Sequence, residues 1–228
     1  HLENQLLDEP DVKLSFSYDV AQQRIYFNIQ RLAFASGYIS IQSKVVATGW
    51  WIKCHIKQVD LKKMLTMLNT MITLPQTFTF AGKTTLTVEI TGATTIQQAT
   101  INGQFDALSF SNAAGSQAIE GLTGKITVSA QQTTANWRGQ ITLTIEQGEL
   151  YSEPVYLGVE AKRPLNATMD LTWQTTQLTI HHFTYIHANI LAVEGFCELI
   201  FDPTLSQVSL KQLTVRLAQS SLANIYTH

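Results

Sequence analysis

The sequence has few charged residues for its length. Asp, Glu, Lys and Arg make up 14% of its 228 residues, whereas a typical soluble domain has about 25%. Ser, Gln, Asn and above all Thr, which occurs 28 times, supply the polarity instead. Thr is β-branched and carries a hydroxyl, so it suits the hydrated face of a strand. The shortage of charge and the abundance of Thr favour an all-β protein.

The sequence lacks the features of a nucleic-acid-binding protein, of a transmembrane helix and of a signal peptide. The net charge is −2 and no basic cluster is larger than Lys62-Lys63 or Lys162-Arg163, which argues against a nucleic-acid partner. The sequence contains no run of 18 apolar residues, so no transmembrane helix is predicted. The first residues are not a signal peptide, and the ends at His1 and His228 suggest a piece of a longer protein, whose other parts can hold a signal or an anchor.

The chain has only two cysteines, Cys54 and Cys197, which lie far apart in the sequence. One alternative is a disulfide between them, which would form in an oxidising compartment. Two separate buried thiols are the favoured interpretation, because Cys is among the residues most often buried. Spacing alone does not decide whether they pair.

No arrangement typical of an active site is present. The sequence lacks a Gly-x-Ser-x-Gly elbow and a glycine-rich phosphate loop. Cys54 and His55 are neighbours on a predicted strand, so their side chains should point to opposite faces. We therefore predict that the protein is not an enzyme and has no catalytic residues and no cofactor.

The densest group of metal-ligand residue types is His181, His182 and His187, followed by Glu194, Cys197 and Glu198. Alternation along a strand predicts His181 and His187 on one face and His182 on the other. The three imidazoles then cannot converge unless the strand contains a bulge. We predict no metal site.

Period-2 alternation of apolar and polar residues dominates the chain. Its clearest example is the row Leu165, Ala167, Met169, Leu171 and Trp173. Closely spaced turn signals imply antiparallel neighbours; they are Ser36-Gly37, Thr48-Gly49, Asn102-Gly103, Gln147-Gly148 and Asp202-Pro203. We expect strand to exceed about 45% of residues, well above the usual share.

One segment has helical spacing instead. Apolar residues between Asp60 and Ile72 recur at i, i+3, i+4 and i+7, with Asp60 as a plausible N-cap and Pro75 beyond the end. Residues 112–118 have the composition of a loop. No linker divides the chain, so we predict a single elongated β module over residues 1–228.

A dozen antiparallel strands with one apolar face and one or two short helices allow two architectures: a long curled sheet that forms a U-shaped groove, or a β-sandwich. In either case, neighbouring apolar rows should share one side of the sheet. The four Trp residues, Trp50, Trp51, Trp137 and Trp173, are interpreted mostly as core, although aromatic rows can also line a groove.

Several phrases resemble the repeated unit of AsmA-like proteins, a superfamily that includes TamB and YdbH. One runs from a strand into a helix over residues 49–61 (GWWIKCHIKQVDL); others cover 99–108 (ATINGQFDAL), 121–128 (GLTGKITV) and 137–143 (WRGQITL). The resemblance extends over roughly residues 12–217 and is greatest to a YdbH-type segment. It rests on rhythm and composition, because the family has no invariant catalytic motif.

The resemblance implies a groove of β-strands that bridges the inner and outer membranes of Gram-negative bacteria and carries phospholipid. It implies a periplasmic or envelope location, an anchor in the inner membrane outside this sequence, and contacts with inner- and outer-membrane proteins. The lipid-facing residues would come from the apolar rows, namely Ile141, Leu143, Ile145, Leu165, Met169, Leu171 and Trp173. The alternative is a closed β-sandwich that serves as an envelope scaffold, adhesion or assembly domain without lipid.

Overall fold

The structure, a computed structural model, describes residues 12–71, 78–202 and 207–220. It contains thirteen strands and one helix in the described part of the chain. Their bounds in chain order are β1 (Leu14–Asp19), β2 (Arg24–Phe34), β3 (Gly37–Val46), β4 (Gly49–Asp60), α1 (Leu61–Met71), β5 (Phe78–Gly92), β6 (Ile96–Asn112), β7 (Gln117–Gln132), β8 (Trp137–Ser152), β9 (Val155–Val159), β10 (Leu165–Gln174), β11 (Gln177–His187), β12 (Leu191–Asp202) and β13 (Gln207–Ser220).

All strands belong to one antiparallel sheet. Each strand pairs with the next along the chain from β1 to β8 and from β10 to β13, while β10 pairs with β8 and β9 pairs with β8 alone. Strand accounts for 80% of the structure, and the sheet is curled but not closed. The predicted all-β fold is confirmed, and among the described residues the architecture is the curled sheet rather than the sandwich.

The alternation in the sequence gives this sheet two distinct faces. Met169 of β10 pairs directly with Ile141 of β8 and with Phe183 of β11. Directly paired residues point to the same side of a sheet, so the prediction that the β8 and β10 apolar rows share one side is confirmed. We call this side the apolar face and the opposite side the polar face.

Hydroxyl and amide groups link neighbouring strands on the polar face. The hydroxyls of Thr168 and Thr184 lie 2.6 Å apart. The Thr144 hydroxyl donates to Asn166 Oδ1 at 3.0 Å, and Gln140 donates to an Asp170 carboxylate oxygen at 3.1 Å. The abundant Thr therefore has a structural role, because its hydroxyls form hydrogen bonds between neighbouring strands of the polar face without adding charge.

Helix α1 begins where the sequence predicts it. The Asp60 carboxylate accepts a hydrogen bond from the Lys63 backbone N–H at 3.0 Å, which is N-cap geometry. The helix packs against β5 and the end of β4. It ends at Met71, and the predicted positions Ile72 and Pro75 lie outside the described residues. Among the helices of the described part, none is long and apolar enough to cross a bilayer.

A band of β-bulges crosses the centre of the sheet from β4 to β8. Each strand there has a register shift and a residue with positive φ; these residues are Gln58, Gly82, Ala107, Gly121 and Gly148. Hydroxyls of adjacent strands accept from the freed amides, for example Thr85 from Gln58 at 3.1 Å and Thr123 from Ala107 at 3.3 Å. The bulge band bends five neighbouring strands at the same level.

Two predicted turns are wrong, because their glycines lie inside strands of the sheet. Asn102-Gly103 lies inside β6, and Gln147-Gly148 lies inside β8 at the bulge band. The predicted turns at Ser36-Gly37 and Thr48-Gly49 are confirmed. The predicted loop at 112–118 is shorter than expected, since β6 ends at Asn112 and β7 begins at Gln117. Pro203 lies outside the described residues.

Candidate functional site

The apolar face grades from buried to exposed along the strands. On β10, Leu165 is 3% exposed beside the bulge band, whereas Trp173 at the other end is 56% exposed. Ala167, Met169 and Leu171 between them are half-buried. Along β10 the face is therefore closed at the bulge band and open to solvent at the other end.

The closed end is a small core between β7 and β10. Leu122, Ile145, Val159 and Leu165 are buried against one another, with half-buried apolar side chains around them. Ile145 and Leu165 were predicted to face lipid, but the structure places both in this cluster. Of the other predicted positions, Ile141, Met169, Leu171 and Trp173 lie on the open part of the face. Leu143 is half-buried at its border, where it packs against the small core.

Glycines on the apolar face lie beneath large side chains of the neighbouring strands. A Cβ added to Gly92 would be 2.7 Å from the Trp50 ring, and one added to Gly124 would be 2.9 Å from the Phe105 ring. Gly195 lies under Phe183 in the same way. Large rings therefore cover bare backbone, which lets neighbouring strands curl towards this face.

Sequence reasoning missed these glycines. Their signal is a glycine at an apolar position of an alternating row, such as Gly139 in the β8 row that continues through Ile141 and Leu143. Gly139 pairs with Leu171 of β10, and the Leu171 side chain is 3.2 Å from where a Cβ would lie. The pattern is recognisable once the pairing of the strands is known.

Both edge strands expose apolar side chains on the apolar face. On β13 these side chains are between 53% and 59% exposed; they are Val208, Leu210, Leu213, Val215 and Leu217. Phe16 of β1 is 69% exposed. No second sheet covers these side chains among the described residues, so both edges present exposed apolar side chains to water.

The histidine cluster is arranged differently from the prediction. A bulge between Ile180 and Phe183 places His181 and His182 together on the polar face, opposite Asp170. His187 pairs with Leu165 on the apolar side and is buried. The predicted division of the faces is wrong because the bulge inserts one extra residue. No group of three or more His, Cys, Asp or Glu in the described part could hold a metal ion.

The two cysteines are free and half-buried, on strands near opposite edges of the sheet. Cys54 pairs with Ile41 and Val88 on the apolar face, and burial raises the pKa of its thiol. A raised pKa lowers the fraction of reactive thiolate. Cys54 is therefore part of the apolar face, in a setting that favours the neutral thiol.

Two shallow depressions, of about 520 and 310 Å³, lie on the polar face. Their linings are mainly Gln, Ser, Thr and charged side chains, including Arg138 and Asp170 in the larger one. Such linings do not suit an acyl chain. The surface suited to an apolar ligand is the open part of the apolar face.

Comparisons with known proteins give no relative. No protein-family model, no curated protein and no solved structure matches the chain.

Proposed function

We propose that this chain is a lipid-binding module whose apolar face holds acyl chains. The observation that carries the proposal is that one sheet presents a continuous apolar face with no second layer among the described residues. Burial of apolar surface stabilises a protein by about 25 cal/mol per Å². An acyl chain is an occupant that would recover this energy for the exposed side chains.

The dimensions of the row support an acyl ligand. From Trp173 to Ala167 the part of the β10 row outside the small core spans six residues, roughly 20 Å at about 3.3 Å per residue. One leaflet of a bilayer's hydrocarbon core is roughly 15 Å thick, half of about 30 Å. The row is thus longer than the part of a lipid that must be kept from water.

The wider setting of the proposal follows from the resemblance to AsmA-like proteins. In this setting the module forms part of a phospholipid path between two membranes, in the periplasm of a Gram-negative bacterium. Inner- and outer-membrane proteins are then its partners, and an anchor lies outside this sequence. The single open sheet is what such a path requires, because a closed sandwich has no apolar surface free for cargo.

Binding of a fluorescent fatty acid and of phospholipid in detergent-free buffer tests the proposal. Ile141→Asp places a charge on the open apolar face, while its neighbour Thr142→Asp places the same charge on the polar face. We expect Ile141→Asp to weaken binding by about tenfold or more, since burying an unpaired carboxylate costs well over 1.4 kcal/mol. Thr142→Asp should bind as the unmodified protein does.

An uncharged variant separates loss of binding from loss of folding. Ala130 lies on the apolar face between Ala99 and Gly139, in a row of small residues. Ala130→Trp fills this space and should reduce lipid binding while the circular dichroism and melting temperature stay close to those of the unmodified protein. Unchanged binding by folded Ile141→Asp and Ala130→Trp would show that this face is not the lipid site.

A further inference from the structure

The two ends of the strands form two different rims. One is the rim at which β3, β5, β7 and β10 end and β4, β6, β8 and β11 begin. All four Trp residues of the chain lie within three residues of this rim: Trp50 and Trp51 at the start of β4, Trp137 at the start of β8, and Trp173 near the end of β10. We call it the Trp rim and the opposite one the far rim.

The indoles of the Trp rim are amphipathic groups without internal partners. In the described part of the chain, none of the four indole N–H groups donates a hydrogen bond to another residue. Trp173 is exposed and the other three are half-buried. An indole with an apolar body and an unused N–H donor fits best where hydrocarbon meets water.

The loops of the Trp rim carry no charge. Five hairpin loops of this rim are described, and none contains Asp, Glu, Lys or Arg; they are residues 20–23 (VAQQ), 47–48 (AT), 93–95 (ATT), 133–136 (TTAN) and 175–176 (TT). Val20, the first residue of the first loop, is 74% exposed. The far rim differs in part: its loops 35–36, 113–116 and 188–190 are uncharged as well, but the segments on either side of β9 carry Glu153, Glu160, Lys162 and Arg163, and no Trp lies at this rim.

An acyl-lipid site on the apolar face accounts for only part of this pattern. It explains Trp50, Trp137 and Trp173, which lie on that face. It does not explain Trp51, which pairs with Lys44 and Thr91 on the polar face. Nor does it explain five uncharged loops beyond the strand ends. A planar interface that meets the rim from outside accounts for both observations.

We propose that the Trp rim docks on the surface of a lipid bilayer. Uncharged loops can enter the headgroup region at little desolvation cost, and the indoles occupy the boundary between headgroups and hydrocarbon. Charged residues begin only at the strand ends behind these loops, with Arg24, Lys44 and Arg138 as cations and Asp19 as an acid. This inference goes beyond the proposed function, because it concerns a rim and a membrane rather than a bound lipid.

Flotation with vesicles of phosphatidylethanolamine and phosphatidylglycerol tests the rim, and a matched pair of variants is available. Ala135 lies in the loop 133–136 of the Trp rim, and Ala114 lies in the loop 113–116 of the far rim; both are exposed and both loops have four residues. Ala135→Glu and Ala114→Glu have the same composition and net charge. A charge near an anionic surface is worth about 1 kcal/mol, so Ala135→Glu should bind about fivefold more weakly, and Ala114→Glu as the unmodified protein does.

The native fluorescence gives a second readout. Because every Trp lies at this rim, vesicles that carry bromine-labelled acyl chains should quench the emission of the unmodified protein and of Ala114→Glu, and quench Ala135→Glu much less. Neutral phosphatidylcholine vesicles should preserve the difference between the variants, since insertion and not only charge repulsion is involved.

Absence of flotation by the unmodified protein, or equal flotation of the two variants, overturns the proposal. A protein that carries acyl lipid in solution but does not float retains the proposed function and loses this one, and the Trp rim is then better explained as a contact for another protein.

Discussion

At the residue scale, the small residues of the apolar face set the curl of the sheet. Gly124 pairs with Phe105 and Ile145, and the Phe105 ring occupies the space where a Cβ would be. A backbone carbonyl, that of Thr144, is also in the way. Relief therefore requires movement of the strand and not only of a flexible side chain.

We accordingly expect Gly124→Ala to lower the free energy of unfolding by about 1–3 kcal/mol, the usual effect of overpacking. Gly158→Ala is the control, because a Cβ there meets only the Tyr156 ring at 3.7 Å. It should change stability by no more than about 0.5 kcal/mol. Urea denaturation of both variants measures these changes. Equal free energies of unfolding for the two variants would show that the Phe105 ring does not require a glycine at position 124.

Cys54 gives a pH-dependent prediction at the same scale. Burial raises the pKa of its thiol above the ordinary value of 9.0 in the folded protein. Below pH 9.0 the thiol is neutral in both states and its contribution to stability is intact. As the pH rises through the raised folded pKa, the unfolded state ionises first and stability is lost.

The free energy of unfolding should therefore fall more steeply above about pH 9 in the unmodified protein than in Cys54→Ala. Other alkaline titrations are common to both proteins and cancel in the comparison. Parallel pH profiles would mean that the thiol at position 54 is not desolvated by folding.

Residue-scale prediction from the sequence failed where a bulge intervened. His181 and His182 share a face because one extra residue is inserted in β11, and alternation alone cannot reveal an insertion. The Trp residues were also predicted less accurately than their apolar character suggests: most were expected in the core, but none is buried and Trp173 is exposed. Their apolar character predicts burial, whereas their position at the strand ends decides it.

At the element scale, local signals located the helix well. Asp60 ends β4, where it pairs with Lys83, and its carboxylate caps α1 through the Lys63 amide. The cap is a property of four consecutive residues, 60–63, so it can be recognised from sequence. Glycine turns were less reliable, because Gly148 supplies a positive φ to a bulge instead of a hairpin.

Removal of this cap should destabilise the helix. Asp60→Ala is expected to cost about 1 kcal/mol, seen as a lower urea midpoint, while Asp60→Asn keeps an acceptor and should lose only a few tenths. If Asn and Ala are equally destabilising, the carboxylate acts through its charge or through β4 pairing and not as a cap.

At the scale of the whole molecule, the sequence predicts two-faced antiparallel strands but not what covers them. The rows of β8 and β10 are equally compatible with a sandwich and with a curled sheet, because either buries one face. The decision depends on which strands pair: in the described residues a meander, broken only where β10 pairs with β8 instead of β9, gives one sheet of thirteen strands. No local pattern within a row encodes that outcome.

The sequence likewise does not tell which residues of an apolar row are covered in the candidate site. Met169 and Leu165 belong to one alternating row, yet the first is half-buried on the open face and the second is buried in the small core. The difference arises from β9, which pairs with β8 and contributes Val159 to that core. Because the row itself does not specify where β9 lies, the lipid-facing set could be predicted only as a whole.

Photo-crosslinking in cells shows whether lipid occupies the apolar face. A photoreactive amino acid is placed at Leu143, on the apolar face, or at Thr142, the next residue on the polar face. After irradiation, the purified protein is analysed by mass spectrometry for covalent lipid. We expect phospholipid adducts at position 143 and none at position 142; adducts at neither position, or equally at both, would show that lipid does not occupy the apolar face.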